Sequence, residues 1–180
     1  MKRDIEELIR KAKKNDTKAF GTLYELFYKR IYRFVYYMIY DPHISQDLVQ
    51  TIFVKTWKSL PSFEVSKGTF QAFIFAIARN TVIDYQRKKK VLAIDSMDSL
   101  PSNENIEDKL VSQQQKKILY KTLSYLKPIE KQLIVLRYFE ELSIAEVASV
   151  VRKEEGAVRV RIHRILRKMK EYIAENVYAN

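Results

Sequence analysis

Cysteine is absent from this 180-residue sequence, which excludes disulfides, thiolate metal sites and cysteine nucleophiles and fits a reducing compartment. Histidine is scarce: His43 and His163 are the two imidazoles, too far apart in the chain to suggest a shared metal or acid–base site. No glycine-rich phosphate loop, metal-ligand cluster or nucleophile motif occurs, so neither catalysis nor a cofactor is expected. Long apolar runs are missing as well. The most hydrophobic stretch, residues 31–40, is interrupted by Arg33 and falls well short of the roughly 20 apolar residues that span a bilayer. The N-terminus is charged, with no apolar run behind it to form a secretion signal. The reading is a soluble, cytoplasmic protein without membrane insertion. Only three glycines and four prolines punctuate long stretches of Leu, Ile, Lys, Gln and Arg at helical spacing, which predicts an all-α fold.

Positive charge is what the chain has in excess, with a formal net charge of +11. Its distribution is uneven. Residues 1–92 carry 18 basic and nine acidic side chains, residues 93–112 one and five, and residues 113–180 fourteen and eight. Two basic bodies flank an acidic spacer. The spacer contains AIDSMDSLPSNENIED, residues 93–108, whose Asp, Ser, Asn and Pro content is that of a flexible linker. The expected domains are therefore residues 1–92 and 113–180, joined by residues 93–112.

In the first domain, helices are expected over residues 4–14, from behind the cap candidate Asp16 to about Tyr40, over residues 44–60, and over residues 70–90, with a loop at residues 61–69. Phe20, Phe27, Ile31, Phe34, Val35 and Met38 share one arc of the second helix. Tyr24, Tyr28, Tyr32, Tyr36 and Tyr40 recur every four residues, a pattern suited to half-buried packing with hydroxyls reaching water, or to a stacking platform for bases. On the fourth helix Phe70, Phe73, Ile74, Ile77 and Thr81 form an expected core arc. Phe75, Arg79, Val82, Ile83, Gln86 and Arg87 fill the remaining circumference, leaving no plain solvent face. Its basic end, Arg87 to Lys90, suits a helix C-terminus and phosphate equally. Aromatic side chains beside a basic track suit unpaired bases, and Asn80 carries both a donor and an acceptor for a base edge.

In the second domain, helices are expected over residues 106–126, 128–140, about 144–151 and 154–175. Ser143-Ile144-Ala145-Glu146 has the form of a capping box. The short helix, tight turn and long basic helix have helix-turn-helix spacing. On the last helix Val158, Ile162, Ile165, Leu166, Met169 and Ile173 form an apolar arc. From Arg159 to Lys170 there are six Lys and Arg residues and no acid. A merely solvated face would intersperse glutamates, so this one reads as a nucleic-acid surface. Val160 breaks its polarity, either as a tolerated apolar residue or as a contact for a thymine methyl in the major groove.

Four segments now converge: AFGTLYELFYKRIYRFV from Ala19, QDLVQTIFVKTW from Gln46, FQAFIFAIARNTVIDYQRKKK from Phe70, and LKPIEKQLIVLRYFEELSIAEVASVV from Leu126 with GAVRVRIHRILRKMK from Gly156. In this order they resemble the extracytoplasmic-function (ECF) group of bacterial RNA polymerase sigma factors. The resemblance covers both domains and places the linker where that family has its own. It implies a non-enzymatic protein that binds core RNA polymerase and directs promoter-specific initiation, of a stress or envelope-response regulon. Asp47, Leu48, Gln50, Phe53 and Trp57 would face the polymerase. Phe63, Ser66, Lys67, Arg79, Asn80, Arg87 and Lys88 would hold the melted non-template strand of the minus-ten element. Asp84 would be an internal partner instead. Arg159, Val160, Arg161, His163, Arg164 and Arg167 would enter the duplex at the minus-thirty-five element, with Arg161 at the edge of the apolar arc. The resemblance leaves open an anti-sigma factor covering the polymerase-binding face.

Three departures stand out: Thr51 where the family often has an acid, Val160 where serine is common, and the charged approach RKEEG to the last helix. The rival reading is a helix-turn-helix regulator of duplex DNA that is not a polymerase subunit; it accounts for residues 128–175 but not for the fourth helix. Val160→Ser is expected to alter affinity and base preference at one minus-thirty-five position, and promoter selection unchanged at every position would refute the contact.

Overall fold

The structure is a computed structural model that describes residues 2–92 and 113–176. The chain divides into two compact units, Met1–Ser102 and Asn103–Asn180. All described secondary structure is helical. The expected linker lies outside the described residues.

Four helices build the first unit: α1 (Lys2–Ala12), α2 (Thr17–Ile39), α3 (Pro42–Ser59) and α4 (Phe70–Leu92). Asp16 caps α2, its carboxylate accepting from the Lys18 and Ala19 backbone N–H groups at 3.0 Å each. The helix ends where Tyr40 turns left-handed at φ 59°. Pro42 does more than stop α2. It occupies the first turn of α3, whose cap is Asp41, accepting from Ile44 N–H at 2.9 Å, so α3 begins two residues before the expected Ile44. The segment between α3 and α4, expected as loop, contains two single turns, Leu60–Ser62 and Val65–Lys67.

α2 is the centre of this unit and packs on α1, α3 and α4. Its aromatic and β-branched content is intrinsically unfavourable for a helix by roughly 0.5 kcal/mol per residue. Burial decides the outcome, because Leu23, Phe27, Ile31, Phe34 and Val35 are all buried and each contributes about 1.5–3 kcal/mol. The tyrosines form a ladder with ring centroids 5.3–6.2 Å apart. It runs from exposed Tyr24 to buried Tyr36, which is the slow drift that four-residue spacing produces.

The core arc of α4 differs from the expected one. Phe70, Ile74, Phe75, Ala78, Thr81 and Val82 are buried, whereas Phe73 and Ile77 are only partly covered. α3 and α2 both pack on α4, so its buried sector is rotated towards Phe75 and Val82 to meet two neighbours.

The second unit consists of α5 (Gln113–Tyr125), α6 (Pro128–Ile134), α7 (Ile144–Val151) and α8 (Glu155–Asn176). The expected helix over residues 128–140 is not one regular helix. From Val135 to Phe139 it widens to a π-turn, in which Glu140 N–H donates to Val135 O at 3.0 Å. The chain then reverses through left-handed Glu141, and the Arg137 guanidinium donates to Leu142 O at 2.8 Å. Ser143 Oγ accepts from Glu146 N–H at 3.2 Å while the Glu146 carboxylate accepts from Ser143 N–H at 2.8 Å, the reciprocal cap expected for α7. α8 packs on α5, α6 and α7 through buried Val158, Ile162 and Ile165.

Within α6, burial pushes the Lys131 ammonium down from 10.5 to about 8. Below pH 8 this lysine is charged in folded and unfolded chains alike and the burial penalty is fully present; between pH 8 and 10.5 the folded form releases its proton first and the penalty fades. Lys131→Met should therefore raise the unfolding free energy measured by urea titration at pH 7, by up to about 3 kcal/mol, and the gain should shrink as pH rises through that window.

Candidate nucleic-acid and protein interfaces

Three surfaces remain once the helices have buried their apolar sides. The first is the free side of α4. The opposite side is held by Phe34, edge-on to Phe75 at 5.7 Å, and by Arg30, which stacks over Phe75 at 5.5 Å and donates to Gln71 Oε1 at 2.8 Å. Lys55 Nζ donates to Thr81 Oγ1 at 3.2 Å, and Gln86 Nε2 to Met38 O at 3.2 Å. What stays outward includes Phe73, Asn80, Asp84 and Arg87, separated by three, four or seven residues and so on one face. Asn80 is exposed, two turns and about 10 Å beyond Phe73 along the axis. Arg87 is paired to Asp84 at 3.3 Å; Lys88 is exposed and Arg79 partly covered.

Phe63, expected at the same site, is only 6% exposed, its ring 4.8 Å from Phe73 and 5.9 Å from Phe70, so it anchors the segment before α4. Ser66 and Lys67 are exposed in the turn above it, with Lys67 paired to Glu64 at 2.8 Å. Val65, 47% exposed between them and Glu64, was legible only as an apolar residue in a polar loop.

The second surface is a groove between α2 and α3, a cavity of about 350 Å³ lined by Phe20, Tyr24, Gln50, Phe53, Val54 and Trp57. Phe20 meets Trp57 at 4.7 Å and Tyr24 meets Phe53 at 4.5 Å. Val54 is 53% exposed at its edge, while Phe53 is 4% exposed and forms the floor. Of the five residues expected here, Gln50, Phe53 and Trp57 line the groove; Asp47 is exposed and Leu48 partly covered on the same helix. Phe20, Tyr24 and Val54 were missed, although Phe20 and Tyr24 stand one turn apart on α2. Thr51 is exposed, its hydroxyl donating to Asp47 O at 3.0 Å.

The third surface is the outer side of α8. Arg159, Val160, Arg161, His163, Arg164 and Arg167 are all exposed, Val160 by 51%. Arg167 pairs loosely with Glu171 at 3.7 Å. Leu166 does not join the buried arc: it is 39% exposed, since α5, α6 and α7 cover the sector centred on Val158, Ile162 and Ile165 and leave its edge open. Beside Val160, Arg161 and Arg164 opens a cavity of about 660 Å³ whose other wall includes Glu130. Glu130 accepts from Lys127 N–H at 2.9 Å and from Lys168 Nζ at 3.0 Å. Its burial works to raise the carboxyl's pKa, but the Lys127 N–H and the Lys168 ammonium outweigh it and hold the group below the usual range.

Among the described residues no cluster of three His, Asp or Glu side chains could hold a metal ion, and no helix is long and apolar enough to cross a membrane.

Comparison with known proteins places these surfaces in context. The family model Sigma-70 region 2 matches residues 23–91, and Sigma-70, region 4 matches residues 116–169. The chain is similar to the ECF RNA polymerase sigma factor BldN of Streptomyces coelicolor, 27% identical over 94% of this chain and 66% of that one. It is also similar to the ECF RNA polymerase sigma factor SigW of Bacillus subtilis, 28% identical over 89% and 91%. Among solved structures, CnrH in complex with the cytosolic domain of CnrY aligns over 96% of this chain and 99% of that one, with TM-score 0.73 and 22% identity. The sigma factor RpoE in complex with the anti-sigma factor NepR, from Bartonella quintana, aligns over 88% and 99%, with TM-score 0.77 and 22% identity. At that identity the two structures establish a shared fold.

Proposed function

The chain belongs to the extracytoplasmic-function group of bacterial RNA polymerase sigma factors, and from that premise we propose how its surfaces divide the work of promoter-specific initiation. The groove of Phe20, Tyr24, Gln50, Phe53, Val54 and Trp57 takes an apolar element of core polymerase, with Asp47 and Leu48 alongside. The outward face of α4 receives melted non-template strand of the minus-ten element: Asn80 reads the edge of an extruded base, Arg79, Arg87 and Lys88 lie along the backbone, and Ser66 and Lys67 close the site from the turn that Phe63 anchors. Flipping a base costs a few kcal/mol, which stacking and edge contacts offset at about 1–3 kcal/mol per base. The face of α8 enters the minus-thirty-five major groove. Arg159, Arg161, His163, Arg164 and Arg167 supply contacts to base edges and phosphates, and Val160 packs on an apolar base edge.

The protein acts by binding free energy, without a catalytic step of its own, in the cytoplasm. An anti-sigma factor, as in the complex of RpoE with NepR, would compete by covering the α2–α3 groove. The domain plan is residues 1–92 for polymerase and the minus-ten element, 93–112 as tether, and 113–180 for the minus-thirty-five element.

The observation that carries this reading is the exposed Asn80 face on a helix whose other side is buried. A regulator of duplex DNA alone has no use for it. Val54→Asp should abolish co-elution with core polymerase and leave duplex binding intact, since a charge in an apolar contact is strongly unfavourable. Asn80→Ala should retain co-elution yet lower permanganate reactivity of melted promoter thymines about tenfold, the effect of losing roughly 1–3 kcal/mol of hydrogen bonding. Wild-type levels of melting would refute the role given to Asn80.

A further inference from the structure

One cation of α8 is treated differently from its neighbours. Lys168 follows Arg161 and Arg164 along the flank that lines the 660 Å³ cavity. Its ammonium lies 3.0 Å from Glu130 Oε2 and 4.7 Å from the centre of the Tyr125 ring, and Tyr125 is itself stacked on Tyr172 at 4.4 Å. The pair is partly covered, with 31% of the Lys168 side chain and 16% of the Glu130 side chain exposed, in contrast to the open Arg167–Glu171 pair on the same helix. Glu130 is also fixed by the Lys127 backbone N–H at the start of α6. Exposed pairs contribute little and exchange freely with water, but a covered pair backed by a ring keeps its geometry.

We propose that Glu130 latches Lys168 away from the DNA backbone, so that α8 docks with one fewer phosphate contact than its charge would supply. The inference rests on the reading that α8 binds duplex DNA. Phosphate contacts raise affinity for every sequence, whereas base-edge contacts discriminate. Holding one cation back weakens binding to every sequence about equally, without touching Arg164 or Val160, so it lowers overall affinity and salt dependence and leaves base preference unchanged. Glu130 is thus a positioning residue that sets how tightly α8 docks and touches no base.

The test uses the full chain and a short mixed-sequence duplex, with affinity followed by fluorescence anisotropy from about 50 to 200 mM salt. Glu130→Gln keeps an acceptor for Lys127 N–H while releasing the lysine. It should tighten low-salt binding several-fold and steepen the slope of log affinity against log salt by about 0.9, the effect of one added phosphate contact. Lys168→Gln should match the wild type, and the double variant should return to it. An unchanged slope in Glu130→Gln overturns the latch, as does a slope shallower by about one in Lys168→Gln, which would mean that the lysine already meets phosphate. A Glu130→Gln effect that persists with Lys168→Gln overturns it too, because the carboxylate would then act by repulsion alone. Should Glu130→Gln unfold, Lys168→Gln alone still decides. Wild-type binding without salt dependence would sink the DNA-docking reading itself, and the latch with it.

Discussion

The burial of α2 on three sides is the constraint from which the first unit follows. Leu23, Phe27, Ile31, Phe34 and Val35 are covered by α1, α3 and α4, which leaves each outer helix with one side inward and one side free. The free sides are not chemically alike. Between α2 and α3 the remainder is aromatic and apolar, a groove with Phe53 as its floor and Val54 at its edge. On α4 it is mixed, with Asn80 between Phe73 and Arg87. Protein and unpaired base are the partners that such surfaces suit.

In the second unit the same logic operates through charge. Three buried aliphatics hold α8 in place, and the side opposite them collects arginines with almost no acidic company. Among the described residues the one carboxylate that lines this cavity, Glu130 of α6, is committed to Lys127 and Lys168. The net +11 is accordingly the sum of two basic units and an acidic connection.

Local chemistry was legible in the sequence. The caps Asp16 and Ser143 act on backbone groups two or three residues away, so a residue type or a four-residue motif was enough to find them. Helical periodicity located the basic face of α8 and the exposed Val160. Properties set by distant neighbours were less accessible. The π-turn at Val135–Phe139 comes just before a chain reversal that brings Leu142 O to the Arg137 guanidinium, a contact that helical periodicity does not encode. Phe63 reads as a loop residue until Phe70 and Phe73 close around it. α4 is apolar around most of its circumference, so its sequence could not say that Phe75 and Val82 turn inward while Phe73 and Ile77 stay partly open. The groove was half found, because α3 supplied a recognisable row while Phe20 and Tyr24 belong to a different helix.

The central claim is that this chain gives core RNA polymerase a choice of promoter. Transcription in vitro from a genomic library by core enzyme with the chain, compared with core enzyme alone, tests it most directly. Start sites that share two short elements at fixed spacing upstream, and appear only when the chain is present, are the predicted result. A transcript population identical to that of core enzyme alone would contradict it.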